Sequence, residues 1–332
     1  MNNDTPPKIS VVVTSKNNEQ TIGECLRSIV ELDYPKEFLE ILLIDAYSTD
    51  KTQQIAENYP IQVISKALNA PAAYNYAMKI ASHNILAFVD SDVKVEKDWL
   101  KKLVPHLNDE KTAGVSGNIE TWNAENAWAR TIGYDIKNRY TRIKDFTGRV
   151  ATMNLLFKRS VLEEVGGFDE DFPSQYDTEL GYRISRLGYR IAFERNAICY
   201  HFNRSTLRTY WRQQLQYGKN TVRLYFKYSV LAKGDEITDF GMNIQPTLIL
   251  AVIGFFLLGI LEILRFLWWG SALILLLTFV YFVFSAAKAS AKFHDYSAMR
   301  LVVIYYVRSF AWLAGAAITA VNGIGKRNSE TK

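Results

Sequence analysis

The chain has 332 residues, enough for one large domain or two smaller ones, and its formal net charge of +5 is modest. No segment has the pattern of a nucleic-acid-binding module, so we expect no nucleic-acid partner. The two cysteines, Cys25 and Cys199, lack metal-binding spacing, so we expect two buried, reduced thiols. Hydrophobic residues make up 48% of the chain, but residues before about 240 alternate polar and apolar segments whereas the remainder holds three long apolar runs.

The first 90 residues alternate strand-like and helix-like segments. The patterns predict strands at 9–14, 39–44, 61–65 and 85–89, and helices at 19–32, 49–58 and 71–82. This order predicts an α/β fold with a mostly parallel central sheet and helices on both faces. Ligands of such sheets bind at the carboxyl ends of the strands, where this chain has its polar clusters.

Two carboxylates, Asp90 and Asp92, directly follow the buried apolar run Ile85–Val89. Residues two apart leave a strand on the same face, and neighbouring carboxylates are stabilised by a shared cation. Oxygen ligands suit Mg²⁺ or Mn²⁺, which complete their shells with water and phosphate. Asp90-Ser91-Asp92 therefore predicts a metal–diphosphate site, with a solvated turn as the alternative.

The segments after residue 92 are more mixed. We predict strands at 113–119, 150–158, 190–193 and 197–201, and helices at 99–107, 124–142, 160–165 and 178–187. Residues 207–226 form an amphipathic helix rich in Arg, Gln, Tyr and Trp, a composition that suits a membrane interface.

The three apolar runs, at about 244–264, 266–287 and 301–321, approach or exceed the length that spans a bilayer. We expect Trp268, Trp269 and Gly270 to form an interfacial hairpin between the first two spans. The third run differs from the other two, because Arg308 lies inside it and must face a partner helix, snorkel or line a cavity.

Basic residues set the expected orientation. They flank the first span on its amino side and the connection between the second and third spans, which places both on the cytosolic side. Three spans would put Lys326 and Arg327 outside, against that rule. Met1–Lys8 has no signal-peptide pattern, so we expect the large amino-terminal region to stay in the cytosol. With the apolar runs, this predicts an integral membrane protein of the plasma membrane.

Several motifs agree in order and spacing with one family, and the stretch that they cover is residues 8–225. They are Ile9–Glu19, Ile44–Asp50 (a D-x-x-S-x-D loop), Asp90–Asp92 (D-x-D), Asn154 with Phe157–Arg159, Gly166–Glu170, and Asp177–Leu180 with Arg183. The chain resembles the family-2 inverting glycosyltransferases of the GT-A fold, membrane-anchored and of the non-processive type.

The resemblance implies roles for individual residues. It implies Thr14, Lys16, Asn18, Asp45 and Asp90 as nucleotide-binding residues. It implies Asp90 and Asp92 as metal ligands, with Asp92 the direct one, and Mn²⁺ or Mg²⁺ as the cofactor. His201, at a strand end before the amphipathic helix, is a further candidate for contact with the metal or diphosphate. Without this resemblance, Asp45 would be equally well interpreted as a turn-forming residue.

The transfer reaction needs a carboxylate to take the proton of an acceptor hydroxyl, and Asp177 is our candidate base. If the acceptor is a phosphate, Asp177 orients or binds instead. Glu179 either supports Asp177 or interacts with the helix dipole. Asn154, Arg212, Gln213 and Lys219 are candidates for sugar or acceptor contacts, with a lipid-facing polar stripe as the alternative for the last three.

The chain departs from the family pattern in three places. Ala46 and Tyr176 stand where acidic residues are usual, and Tyr210–Lys219 replaces the Q-x-x-R-W motif of processive members. We therefore expect a metal-dependent enzyme that moves a sugar from a nucleotide-sugar donor to a lipid-linked acceptor (polyprenyl or dolichyl phosphate, or a lipid-linked glycan) at the cytosolic membrane face. The alternatives are a processive polysaccharide synthase and a non-catalytic nucleotide-sugar-binding membrane protein.

The expected organisation has three parts. Residues 1–205 form the cytosolic catalytic domain, 206–240 the interface helix region, and 241–332 a membrane region with two or three spans. The sequence does not indicate an oligomeric state.

Overall fold

A computed structural model describes residues 5–149 and 151–330, with side chains up to residue 322. Its strands are β1 (Ile9–Ser15), β2 (Leu39–Asp45), β3 (Gln62–Ser65), β4 (Ile85–Asp90), β5 (Val93–Val95), β6 (Thr112–Thr121), β7 (Phe146–Thr147), β8 (Leu155–Lys158) and β9 (Arg190–His201). Its α-helices are α1 (Ile22–Val30), α2 (Thr52–Ala56), α3 (Ala70–Ile80), α4 (Trp99–Leu103), α5 (Ala127–Tyr140), α6 (Arg159–Glu164), α7 (Tyr176–Arg186), α8 (Leu207–Lys227), α9 (Phe240–Leu258), α10 (Leu267–Phe293) and α11 (Leu301–Glu330).

The described strands form a single sheet in the order β3-β2-β1-β4-β8-β6-β9-β5, with β7 also paired to β9. Strands β1, β2, β3 and β4 are parallel to one another, and β6 and β9 run the same way because β8 lies antiparallel between β4 and β6. The predicted mostly parallel sheet is thereby confirmed, with β5, β7 and β8 as the reversed strands.

The apolar strand residues explain why this sheet is buried. One face of β1, β2 and β4 packs against α3, α6 and α7 through residues such as Val12, Leu42 and Phe88, all with no exposed surface. On α1, the buried residues Ile22, Cys25, Leu26 and Ile29 form one apolar stripe. Burial of each such side chain contributes roughly 1.5–3 kcal/mol.

Three local predictions were wrong. The strand expected at 150–158 begins at Leu155, because Asn154 closes a turn onto the Ala151 carbonyl (3.0 Å); Val150 lies outside the described residues. The two strands expected at 190–193 and 197–201 are one strand, β9, with a register shift against β6. Trp268–Gly270 lie in the first turn of α10, since the chain turns earlier, between Leu258 and Leu267.

The chain divides into two compact units. The first contains residues 1–123 and 140–202, and the second contains residues 124–139 and 203–332. Nearly all of α5 therefore belongs to the second unit, although the chain on both sides of it belongs to the first. The sequence did not indicate this interruption.

The second unit contains three helices long and apolar enough to cross a membrane: 240–258, 267–293 and 296–322. Helices α9 and α10 form a hairpin in which Ser271 Oγ donates to the Val252 carbonyl (2.9 Å) and Trp268 Nε1 to the Phe256 carbonyl (3.0 Å). The unit thus confirms apolar carboxyl-terminal helices.

Arg308, the charge inside the third run, faces a partner helix. Its guanidinium donates to Asp135 of α5 (3.0 Å), and both side chains are less than a tenth exposed. A buried charge needs such a partner. Ile132, Tyr210 and Ile304 form a buried apolar cluster beside this pair, which joins α5, α8 and α11.

Candidate functional site

The carboxyl ends of β1, β2 and β4 lie level with one another in the first unit. Ser15 pairs with Asp45 across β1 and β2, and Thr14 pairs with Asp90 across β1 and β4. The parallel sheet thereby gathers two carboxylates and two hydroxyls along one edge, as the order of the polar clusters predicted.

Asp45 is fully buried and holds the loop after β2. Its carboxylate accepts hydrogen bonds from Ser15 Oγ (2.7 Å), Ser48 Oγ (2.6 Å), Ser48 N–H (2.8 Å) and Gln53 Nε2 (2.5 Å). Burial raises the pKa of Asp45, but these four donors outweigh burial and hold that pKa below its ordinary value. An ionised Asp45 therefore shapes the loop, in which Tyr47 has a positive φ of 52° and is 58% exposed.

The residues expected beside Asp45 surround the same loop. Asn18 N–H donates to Thr52 Oγ1 (2.8 Å), and Lys16 is exposed. Thr14 Oγ1 donates instead to the Tyr74 hydroxyl (3.2 Å). Whether these residues bind a nucleotide stays a prediction.

Asp90 is held by Tyr74, a residue that the sequence patterns did not single out. The Tyr74 hydroxyl donates to Asp90 Oδ1 (2.5 Å). Burial, followed by the charge of Asp92, raises the pKa of Asp90 to about 6. Burial and then the charge of Asp90 raise the pKa of Tyr74 well above its ordinary range, so Tyr74 remains a donor at neutral pH.

Asp92 and His201 lie on adjacent strand ends. Val93 pairs with His201, and His201 Nε2 is 3.6 Å from Asp92 Oδ2. Among the described side chains, no group of three or more His, Cys, Asp and Glu is arranged to hold a metal. Two carboxylates nonetheless fit a divalent ion that takes its other ligands from water and phosphate. Such an ion would offset both causes of the raised Asp90 pKa, which are burial first and then the charge of Asp92.

Asp177 lies in the first turn of α7, and the residue before that helix, Gln175, has a positive φ of 68°. The Oδ1 atom of Asp177 accepts a hydrogen bond from the Thr178 N–H (2.7 Å). Burial raises the pKa of Asp177, and the charge of Arg149 opposes this shift without cancelling it. A carboxylate with a raised pKa has the basicity that proton abstraction needs.

Tyr176 connects this helix start with Asp90. The rings of Tyr74 and Tyr176 are 6.0 Å apart, and the Tyr176 hydroxyl lies 3.4 Å from Thr152 Oγ1. Thr152 in turn contributes a hydrogen bond to Asp90. Two tyrosines and a threonine therefore link the Asp90 and Asp177 regions, and only the departure from the usual acidic residue at Tyr176 hinted at any of them.

Glu179 points away from such chemistry. It has no exposed surface and forms an ion pair with Arg183 (2.6 Å), whose guanidinium also donates to the carbonyls of Val165 (2.6 Å) and Gly167 (2.7 Å). Its position therefore argues for anchoring the 165–167 loop rather than for direct catalysis.

Asn154 is likewise buried, and its contacts do not fit the expected sugar contact. Its Oδ1 accepts from Trp99 Nε1 (2.7 Å), and its Nδ2 donates to the carbonyls of Asn118 (2.8 Å) and Ala197 (3.0 Å). The amide joins the α4 residue Trp99 to the backbone of β6 and β9, which is a structural role.

The three remaining acceptor candidates lie on α8 in the second unit. Arg212 is exposed, and Gln213 and Lys219 are half-buried. The neighbouring Gln214 is the buried one, and its Oε1 accepts from Trp312 Nε1 of α11 (2.9 Å).

Comparison with known proteins identifies the family that this chain resembles. Residues 10–166 match the family model described as Glycosyl transferase family 2. A probable glycosyltransferase, YdaM of Bacillus subtilis, is 31% identical over 67% of this chain and 57% of its own length. The poly-beta-1,6-N-acetyl-D-glucosamine synthase of Staphylococcus epidermidis is 25% identical over 64% of this chain and 54% of its own length.

The chain thus spans a little over half the length of these two curated relatives. Among solved structures, the mannosyltransferase PcManGT of Pyrobaculum calidifontis, in complex with GDP-Man and Mn²⁺, covers 95% of this chain and 87% of its own at 20% identity and a TM-score of 0.60. The chain therefore belongs to glycosyl transferase family 2, and its first unit has the GT-A fold.

Proposed function

We propose that the protein transfers a sugar from a nucleotide-sugar donor to a lipid-linked acceptor, with inversion and with help from a divalent metal. The observation that carries the proposal is the level alignment of Asp45 and Asp90 at the carboxyl ends of parallel strands, with Asp92 two residues beyond. The solved PcManGT structure contains GDP-Man and Mn²⁺, which supports a nucleotide sugar and a metal here.

Asp90 and Asp92 would hold Mn²⁺ or Mg²⁺ together with the donor's diphosphate. When bound, the metal offsets the charge of the departing nucleoside diphosphate. Tyr74 holds Asp90 in place, and the Asp45 loop, with Thr14, Lys16 and Asn18 beside it, receives the nucleoside. His201, 3.6 Å from Asp92, orients that carboxylate or reaches the diphosphate.

Asp177 accepts the proton of the acceptor hydroxyl while that oxygen attacks the anomeric carbon. Its raised pKa supports this role. The acceptor is lipid-linked because the chain carries apolar helices that anchor it beside a bilayer. Arg212, Gln213 and Lys219 on the polar helix α8 are the residues that we assign to the acceptor's charged head, with the catalytic unit on the cytosolic side of the plasma membrane.

The similarity to a polysaccharide synthase keeps processive synthesis as the second candidate. The two differ in product. A non-processive enzyme adds one sugar however long the incubation, whereas a synthase gives a ladder of products whose length grows with time. Mass spectrometry of the lipid fraction separates them.

The donor is tested by thermal unfolding of the detergent-solubilised full chain with a panel of nucleotide sugars, with and without MnCl₂. We expect one donor to raise the melting temperature by mass action, and only with metal. Asp92→Asn should abolish the shift, whereas the exposed control Asp33→Asn should retain it. Absence of a shift with every donor would favour a different ligand.

Transfer itself tests the base. Asp177→Asn should keep the donor-induced shift and lose transfer by roughly 10²–10⁴-fold, the range of a general-base contribution. Full transfer by this variant contradicts the base role and favours an acceptor that is already a phosphate. Donor hydrolysis without transfer in the unaltered protein would point to a missing acceptor.

A further inference from the structure

The third apolar helix, α11, is covered differently from the other two. In the apolar windows of α9 and α10, 17% and 22% of the residues are buried in the protein, against 44% for the third helix. Its exposed large residues, Val303 (39%), Phe310 (41%), Ile318 (39%) and Val321 (67%), recur at helical spacing on one face. Helix α11 therefore has one apolar face open and the opposite face covered by protein.

The covering helices are polar. Trp312 donates to Gln214 of α8 (2.9 Å), and Thr319 Oγ1 donates to the Lys219 carbonyl (3.1 Å). The backbones come close between these contacts, because a Cβ at Gly315 would lie 2.5 Å from the Leu215 carbonyl oxygen. Residues 312–319 of α11 thus pack directly along α8.

Helix α8 is a poor neighbour for lipid chains. It carries five basic residues, of which Arg208, Arg212, Arg223 and Lys227 are exposed. Charged side chains within a bilayer are costly and rare. Any stretch of α11 that packs against α8 is therefore kept out of the hydrocarbon core.

The length of α11 determines how deep in a bilayer its contacts with α8 would lie. At 1.5 Å per residue, Trp312 lies about 17 Å and Thr319 about 27 Å from Leu301 along the axis. If α11 crossed a core about 30 Å thick, these contacts would draw α8 from the bilayer centre to its far side. The charged helix α8 cannot enter the hydrocarbon core, so α11 cannot cross the bilayer while it keeps its contacts with α8.

Helix α5 gives an independent constraint near the start of α11. Asp135 of α5 binds Arg308, and the Tyr134 hydroxyl donates to Asp295, which precedes α11 (2.6 Å). With 14 residues, α5 is about 21 Å long, too short to span. The chain continues from both ends of α5 into strands of the first unit, β6 and β7. Because α5 cannot span, α5 and Arg308 stay on the same side of the bilayer as those strands.

We propose that α11 lies along the membrane surface on the side of the first unit, with its Val303–Phe310–Ile318–Val321 face in the headgroup–acyl boundary, and that only α9 and α10 span. A helix with one apolar face and one protein-covered polar face has the character of an interfacial helix. The assignment also returns Lys326 and Arg327 to the side that the charge rule prefers. It does not depend on the proposed function.

Single cysteines introduced into the full chain test the topology. We choose exposed positions: Glu57→Cys in the first unit, Glu262→Cys between α9 and α10, and Asn322→Cys in α11. The natural Cys25 and Cys199 are fully buried and give little background. Intact cells are treated with a membrane-impermeant maleimide before and after permeabilisation.

We expect the residue 322 and residue 57 cysteines to be labelled under the same condition, and the residue 262 cysteine under the opposite one. Labelling of the residue 322 cysteine together with the residue 262 cysteine overturns the proposal. A carboxyl-terminal epitope tag, read by protease protection in sealed vesicles, decides the case if the residue 322 thiol is unreactive. Protection of the tag together with the first unit supports the surface helix, and protection with the α9–α10 turn refutes it.

Discussion

At the scale of single residues, Asp90 combines two unfavourable features that a bound cation would relieve. It is largely enclosed by protein, and Asp92 carries a second negative charge two residues away. The hydrogen bond from Tyr74 offsets only part of this cost, since the pKa still rises to about 6. The ionised Asp90 thus destabilises the folded protein when no ligand is bound, a cost that the proposed ligand would offset.

Asp90→Asn should therefore stabilise the metal-free protein at pH 7.5. Because the folded pKa is raised, the folded state holds this proton more tightly than the unfolded chain, and stability declines as pH rises from about 4 to about 6. Removing the charge should recover about 1–3 kcal/mol above that window, while Asn still accepts from Tyr74. Thermal unfolding in EDTA measures the gain.

Two comparisons control this experiment. The advantage of Asp90→Asn should shrink as the pH falls towards 4, where the folded wild-type carboxyl is protonated and the unfolded one is close to its own pKa. Mn²⁺ with donor should stabilise the wild type and leave the variant unchanged. A variant less stable than wild type in EDTA at pH 7.5 contradicts the argument.

Sequence patterns identified the charged members of the site but not their supports. Asp45, Asp90 and Asp92 follow buried strands, so their position at the sheet edge was predictable. Tyr74 lies within α3, where an aromatic residue is indistinguishable from a core residue by periodicity. Asn154 and Glu179 belong to recognisable motifs, yet only their contacts reveal that they hold the fold together.

At the scale of elements, the start of α7 depends on the ion pair between Glu179 and Arg183. Arg183 joins α7 to the loop at Val165 and Gly167, where Gly167 has a φ of +72°. The pair thus fixes the segment between α6 and α7 from which Asp177 follows. Its role is mechanical, whereas Asp177 next to it carries the raised pKa.

Glu179→Gln should lower the free energy of unfolding by about 2–3 kcal/mol, less than a fully buried pair would lose, because Arg183 is 22% exposed. Transfer per folded molecule should fall far less than in Asp177→Asn. Melting temperature and initial rate, measured on the same samples, distinguish the two roles. A normal melting temperature with abolished transfer would restore Glu179 to the chemistry.

Close approach of α8 and α11 depends on glycine at two positions. A Cβ at Gly218 would lie 2.6 Å from the Trp312 Cα, and one at Gly315 would lie 2.5 Å from the Leu215 carbonyl oxygen, both backbone atoms that cannot yield. Gly315→Ala should therefore destabilise the protein by about 1–3 kcal/mol. Gly254→Ala, in α9 with open space around it, is the matched control and should leave the melting temperature unchanged or raise it. Equal effects of the two substitutions would contradict close packing.

The sequence located most elements because buried strands and apolar helices have strong local patterns. It overextended β8 and divided β9, since a turn at Asn154 and a register shift depend on partners elsewhere in the sheet. It also could not tell what covers an amphipathic helix. The pattern of α5 is compatible with packing on the sheet, but Ile132 packs with Tyr210 and Ile304.

At the scale of the whole molecule, this placement of α5 bears on where the chain can be divided. The predicted catalytic domain, residues 1–205, includes α5 but none of the helices that cover it. Ala129 and Thr131 have no exposed surface, and Ile132 and Asp135 are only 6% exposed. A chain that ends at residue 205 would expose this face and leave Asp135 without Arg308.

We therefore expect residues 1–205, expressed alone, to aggregate or to require detergent, although the sequence suggests a soluble domain. Exposed apolar patches of this kind promote association. Ile132→Glu in the truncated chain should reduce aggregation, whereas the same substitution in the full chain should destabilise it, because there the residue is buried with Tyr210 and Ile304. Size-exclusion chromatography without detergent, and melting temperature of the full chain with detergent, provide the two readouts. A monodisperse truncated chain, unaffected by Ile132→Glu, would show that α5 finds its cover within the first unit.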